Sequence, residues 1–233
     1  GDFRAHPVGR ILASLLHHHD TTKFVVHCYD NTRIHDAVTQ QLKSSGAIWR
    51  LIRDLDDLSV AGMVADDGIE ILVDLSGHTY GNRLGVFALH PARVQVAWLG
   101  YLNSTGLSQI DWRLTCVSAD PPPGAQSVHT ERIYYLPEVL WAWEPDAADD
   151  VVVPARSSLA ANSNAPVVFG SFNNFRKVNE AVLQVWCEVL RRVENSRIVI
   201  IGVPRGSTVD RVLELFEKHG IDGERVDLRP TLD

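Results

Sequence analysis

Apolar residues along the chain fall into two alternating spacings. Val8, Ile11, Leu12, Leu15 and Leu16 recur at helical intervals behind Pro7, which suits a first helical turn, and predict a helix over 7–19. Short apolar stretches of strand length follow at 24–29, 49–52, 69–75, 93–99 and 112–117, with helical patterns at 36–43 and at 58–65, the latter stopping at Gly68. The 69–75 stretch is the strongest and reads as a buried strand bounded by Ser76 and Gly77. Strands interleaved with helices predict an α/β fold on a mainly parallel sheet.

The pattern changes after Leu140. Residues 144–150 are acidic and 156–164 are rich in Ser, Ala and Asn, so 141–165 reads as a linker between a first domain over 1–140 and a second over 166–233. The second alternation runs strand 167–171, helix 180–193, strand 197–201, helix 209–219 and strand 226–228. A full doubly wound sheet has about five or six strands, so the second domain is expected to be incomplete. Residues 1–7 read as the loop leaving a strand, so the first domain is expected to lack its initial strand.

Composition narrows the class. A chain of 233 residues, 45% apolar and 22% charged, can bury a core and is neither disordered nor fibrous. Its apolar runs fall far short of the roughly 20 residues of a membrane span, and no secretory signal pattern opens it. The 3 cysteines (Cys28, Cys116, Cys187) are too scattered for a disulfide framework, which fits a reducing cytoplasm. With a net charge of −7 and no basic stripe, nucleic acid is not the expected partner.

Chemistry is expected where strands end. His6 lies before Pro7 at the helix N-terminus, where the helix dipole favours a neutral imidazole able to accept a proton; a plain capping role is the alternative. Asn173, Asn174, Arg176 and Lys177 follow a strand that reads as buried and precede a helix that Asn179 can cap, a setting suited to anions or to an ordinary solvated loop. The turn with His78, Thr79, Asn82 and Arg83 and the loop with Tyr101, Ser104 and Thr105 also follow strands, yet neither matches a phosphate fingerprint nor a serine-hydrolase elbow. His17, His18 and His19 are consecutive and point apart on a helix, so a solvated helix end is expected rather than a metal site. Asp54-Leu55-Asp56 has the D-x-D form of metal-dependent sugar-nucleotide transferases but reads better as a helix start. The 6 tryptophans are expected to be core.

Several ordered motifs together carry a resemblance. Gly1-Asp2-Phe3-Arg4-Ala5-His6-Pro7-Val8-Gly9, Asp74-Leu75-Ser76-Gly77-His78-Thr79 with Asn82-Arg83-Leu84, and Val86-Phe87-Ala88-Leu89-His90-Pro91-Ala92-Arg93-Val94-Gln95 are followed by Trp98-Leu99-Gly100-Tyr101, Ser104-Thr105-Gly106, Ile110-Asp111-Trp112 and Phe172-Asn173-Asn174-Phe175-Arg176-Lys177. In this the chain resembles the catalytic region of SPINDLY-type O-linked N-acetylglucosamine (O-GlcNAc) transferases, which often follow tetratricopeptide repeats. The resemblance implies a GT-B fold of two Rossmann-like domains facing across a cleft. It implies inverting, metal-independent transfer of N-acetylglucosamine from UDP-GlcNAc to Ser or Thr hydroxyls of proteins, with no cofactor.

Under that resemblance His6 matches the histidine proposed as base or as a group ordering the reacting centre. Lys177 matches the lysine reaching the UDP diphosphate, with Asn174 nearby. His6 and Lys177 are then expected on one cleft, with His78, Thr79, Asn82, Arg83, Tyr101, Ser104 and Thr105 on adjoining loops. Leu102-Asn103 replaces the usual Pro-containing turn, and Ala65 stands where some members carry a second histidine. The resemblance further implies that the uridine-binding segments lie beyond Asp233, so that the 233 residues alone are expected to be inactive. A donor such as GDP-fucose, or a non-catalytic binding role, is the alternative.

Overall fold

The computed structural model describes residues 1–144 and 165–230. The chain divides into two compact units, Gly1–Asp150 and Val151–Asp233. Both are α/β with wholly parallel sheets, the class expected from the strand–helix alternation. Part of the predicted linker, 145–164, lies outside the described residues.

The first unit opens with α1 (Pro7–His17), then β1 (His27–Asp30), α2 (Ala37–Lys43), β2 (Ile48–Leu51), α3 (Asp57–Asp66) and β3 (Ile71–Asp74). It continues through α4 (Leu84–Ala88), β4 (Val94–Ala97), β5 (Trp112–Thr115) and β6 (Arg132–Tyr135). β1 and β2 form one ladder, and β3-β4-β5-β6 form a second in that order. No ladder joins β1 to β3 among the described residues; a cavity of about 640 Å³ lies there, lined by Val25, Val26, Tyr29, Ile71 and Val73 among others. One core packs Val60, Val64, Leu72, Val86, Phe87 and Ile110, and another packs Phe3, Leu12, Leu16 and Leu42.

The second unit contains β7 (Val167–Ser171), α5 (Glu180–Arg192), β8 (Ser196–Ile201), α6 (Ser207–Lys218) and β9 (Val226–Arg229), with sheet order β7-β8-β9. Leu190, Ile200, Val212 and Phe216 fill its core. Arg225 ties the layers together, donating to the carbonyls of Leu190, Val193 and Ser196.

Local signals explain most element ends. Asp36 caps α2 by accepting from the Thr39 amide, and Asp56 caps α3 by accepting from the Ser59 amide. Asp54 pairs with Arg53 at the surface, so the D-x-D acids serve a helix start and an ion pair. α1 ends at His17; His17 and His18 stack edge to face, and His18 also contacts Glu144.

Several expectations are corrected. The strand expected over 24–29 begins only at His27, because its partner β2 begins at Ile48; Phe24 and Val25 are exposed. β3 is not buried on both faces: Leu72 and Asp74 are buried whereas Ile71 and Val73 are exposed. β7 is likewise not a buried strand: among the described residues it has a partner on one side only, and Val167 and Val168 are exposed. Apolar run length records affinity for cover, and cover depends on which elements pack alongside. Of the tryptophans, Trp49 and Trp186 pack against cores as expected, whereas Trp141 and Trp143 are exposed. Indole N–H groups instead tie segments together: Trp98 donates to the Leu140 carbonyl and Trp141 to that of Leu99.

Candidate functional site

His6 is placed by a short segment laced to two neighbouring loops. The Phe3 amide donates to Thr32, the Ala5 amide to Asp36, and the Thr39 hydroxyl to the Phe3 carbonyl. The Ala5 and Thr39 bonds hold the Asp36 carboxyl below the ordinary aspartate range. Gly9 has no Cβ, and one there would overlap the Arg4 carbonyl, so the segment lies directly on α1. His6 is then the N-cap of α1: its Nδ1 accepts from the Val8 amide at 3.3 Å, and Asp2 lies 3.9 Å from the same nitrogen. The ring is half-buried. Capping through Nδ1 puts the proton of the neutral ring on Nε2, so Nε2 is a donor in this geometry.

Beside it lies a second cluster. Asp74 ends β3 and accepts the amides of Ser76 (3.2 Å) and Gly77 (2.7 Å), which folds the turn back; its burial raises the carboxyl above its ordinary range. Gly77 has φ +51°, and a Cβ there would overlap the Tyr101 side chain, so only glycine lets that ring close over the turn. His78 meets Tyr101 edge to face with centroids 5.4 Å apart, and its Nε2 lies 2.8 Å from the Thr105 carbonyl. A Val8 methyl lies 3.1 Å from where a Cβ on Gly100 would stand, which sets this loop against the start of α1.

The loop between β4 and β5 is gripped from below by two buried charges. Glu131 is 0% exposed and accepts from the Thr105 amide (2.7 Å), the Thr105 hydroxyl and the Ser104 hydroxyl (2.8 Å). Burial alone would raise its carboxyl; the bonds from Thr105 and Ser104 outweigh burial and hold it below the ordinary glutamate range. Arg113, 1% exposed, donates to the carbonyls of Tyr101 (3.0 Å) and Asn103 (3.2 Å) and pairs with Asp120 at 3.2 Å. Neither residue was singled out from the sequence. The available signal was a charge inside the apolar strand pattern at Arg113 and one directly before β6 at Glu131.

The other predicted loop residues take local roles. Thr79 donates to the Ser76 carbonyl, and Asn82 donates to that of Thr79 and accepts from the Leu84 amide. Arg83 bonds Asp57, Asn31 and the carbonyls of Ile52 and Leu55, which fastens the ends of β1 and β2 to α3. The structure thus joins His78, Tyr101, Ser104 and Thr105 in one cluster and uses Arg83 as a fastener.

In the second unit the candidates sit on the loop after β7. Asn174 accepts from the Arg176 amide at 3.0 Å and opens a short 3-10 turn over Phe175–Lys177. Phe175 and Val178 pack on the core, which leaves Asn174, Arg176 and Lys177 exposed. Asn179 caps the 13-residue α5, accepting from the Val182 amide. Lys177 therefore stands two residues before a helix N-terminus, where amide dipoles favour anions; Glu180 in the first turn bonds Gln184. Among the described residues no three His, Cys, Asp or Glu side chains group as a metal site, and no helix is long and apolar enough to cross a membrane.

Comparison with known proteins places these features in a family. The chain is 40% identical over 237 aligned residues to the Arabidopsis thaliana protein named "Probable UDP-N-acetylglucosamine--peptide N-acetylglucosaminyltransferase SPINDLY", with 99% of this chain and 25% of that protein covered. The Solanum lycopersicum protein of the same name is 38% identical with the same coverage. A solved structure of a Thermobaculum terrenum O-GlcNAc transferase mutant superposes with a TM-score of 0.88 at 34% identity, covering 100% of this chain and 44% of that one. The chain thus spans about a quarter of the length of the curated relatives it matches. The description Glycosyl transferase family 41 matches residues 1–144 and 142–231. With two Rossmann-like α/β units of GT-B type and matches running through both, the chain belongs to glycosyl transferase family 41.

Proposed function

We propose that this chain forms part of the catalytic region of a transferase that moves N-acetylglucosamine from UDP-GlcNAc to Ser or Thr hydroxyls of proteins, with inversion and without a metal. The observation that carries the reading is the likeness, over 99% of the chain, to proteins named for transfer of this sugar to peptides. The chemistry of the residues supports it. In an inverting transfer the hydroxyl oxygen bonds to the anomeric carbon while the bond from that carbon to the diphosphate oxygen breaks; UDP departs with the electron pair and the hydroxyl proton is released to solvent. Negative charge then grows on the diphosphate. Lys177, exposed ahead of the α5 N-terminus, supplies a cation and aligned amides for it, with Asn174 as a neighbouring polar group. Asp54 and Asp56 are engaged in an ion pair and a helix cap, which supports a site that works without them as metal ligands.

His6 orders the reacting centre as a hydrogen-bond donor through Nε2, because its Nδ1 is committed to the Val8 amide. The full-length protein is tested by co-expression with candidate acceptors and mass spectrometry of the acceptors. N-acetylhexosamine on Ser or Thr is expected, and transfer by the purified full-length protein should persist in EDTA. A different sugar, or activity lost to EDTA and restored by manganese, would overturn the reading.

A further inference from the structure

A histidine nitrogen bonded to a backbone carbonyl must carry the proton, because the carbonyl only accepts. Nε2 of His78 lies 2.8 Å from the Thr105 carbonyl, so the neutral ring presents Nδ1 as a bare acceptor. His6 is the opposite case, a donor at Nε2. The His78 side chain is exposed, and its ring is fixed by Tyr101, which itself closes over Gly77. The carbonyl that sets the tautomer is held in turn: the amide and hydroxyl of Thr105 both end on Glu131. A buried charge is retained at low cost only when fully bonded, and the partners of Glu131 on this loop are Ser104 and Thr105.

Resting on the transferase reading above, we propose that Nδ1 of His78 receives the hydrogen bond of the hydroxyl-bearing acceptor and that Glu131 is a positioning residue acting on it through Thr105. The pairing of the two histidines then divides labour within the first unit: His6 donates and His78 accepts.

The test uses the full-length protein, UDP-GlcNAc and an acceptor peptide. His78→Phe and His78→Gln are expected to raise the peptide KM about three- to tenfold, the worth of one hydrogen bond, with the KM for UDP-GlcNAc unchanged. His78→Asn places an amide oxygen where Nδ1 was and is expected to restore most of the loss. Wild-type peptide KM in His78→Gln, or an equal rise in both KM values, overturns the role of His78. Glu131→Gln is expected to raise the peptide KM in the wild-type background and to add nothing in His78→Phe; effects that multiply overturn the positioning role. Thr105→Val, which keeps the backbone and removes one Glu131 bond, is measured beside it and carries the same expectation if Glu131→Gln fails to fold. Histidine ¹⁵N spectra separate this proposal from the function it rests on. A His78 proton on Nδ1 overturns the proposal even in an active enzyme, whereas a proton on Nε2 in a protein that transfers no N-acetylglucosamine overturns the function instead.

Discussion

The β4–β5 loop of the first unit and the β7–α5 loop of the second both follow parallel strands, where α/β proteins place their ligands, yet they are held in opposite ways. The first is gripped by Arg113 and Glu131, both buried, so Tyr101, Ser104 and Thr105 are set in place before any ligand arrives. The second is pinned by the half-buried Phe175 and Val178 and by two asparagine caps, and its cations stand in solvent. Under the proposed transfer, a surface that aligns a peptide hydroxyl would gain from preorganisation. A cation that meets a diphosphate would gain from reach, and it would give up little fold stability to be there. Stability and activity should therefore separate between the two loops.

The largest effect falls on the gripped loop. Arg113→Leu strips Asp120 of its cation, leaving it the Thr115 hydroxyl, and strips two carbonyls of their donor; breaking a buried pair this way costs about 3–5 kcal/mol, read by denaturant unfolding. A loss under about 1 kcal/mol would break the contrast. Lys177→Ala comes next and acts on the other quantity: kcat/KM should fall roughly 30- to 1000-fold, about 2–4 kcal/mol of transition-state stabilisation, with the unfolding midpoint unmoved. Lys177→Arg should also be impaired, since a planar fork does not replace a point charge. Unaltered turnover in the alanine variant would make this loop a connector.

Gly77→Ala should cost about 1–3 kcal/mol, because the residue holds φ +51° and its new methyl would overlap Tyr101. Its melting temperature and peptide KM should change together, since the same ring orients His78. The smallest effect is one of pH. The Glu131 carboxyl sits below its unfolded value, so its contribution is complete above the ordinary glutamate range and is lost as pH falls through the lowered value. The protection factor of the Thr105 amide, the unfolded exchange rate over its own at the same pH, should then fall on acidification while amides near Lys177 show no such step. Asp74 has the opposite sign, its raised carboxyl gaining stability as pH falls through it.

Much of this was legible from local pattern. Pro7 with its helical apolar spacing, Asp36 and Asn179 as caps, and the match of 167–171 to β7 all depend on residues close in sequence, where propensity and hydrogen bonding act directly. Strand β6 was missed although Ile133, Tyr134, Tyr135 and Leu136 form a short apolar run; what establishes it as a strand is its pairing with β5. The candidate loops were legible as well, from glycines and polar residues behind apolar strands. Their division of labour was not, because Arg83 bonds partners 26 to 52 residues away, a distance at which no spacing rule operates.

From the amino-acid order alone came the α/β class, the two alternations and the places where chemistry could sit, since each follows from periods of two or about 3.6 residues and from turn chemistry. Folding decided the rest. The proton positions of His6 and His78, donor in one and acceptor in the other, depend on whether the nearest backbone group is the Val8 amide or the Thr105 carbonyl. The roles of Arg113 and Glu131 arise only when β5 and the residue before β6 are brought beneath a loop that precedes both in the chain. A side chain's chemistry is written in its type; its protonation and its direction are set by the groups that packing places against it.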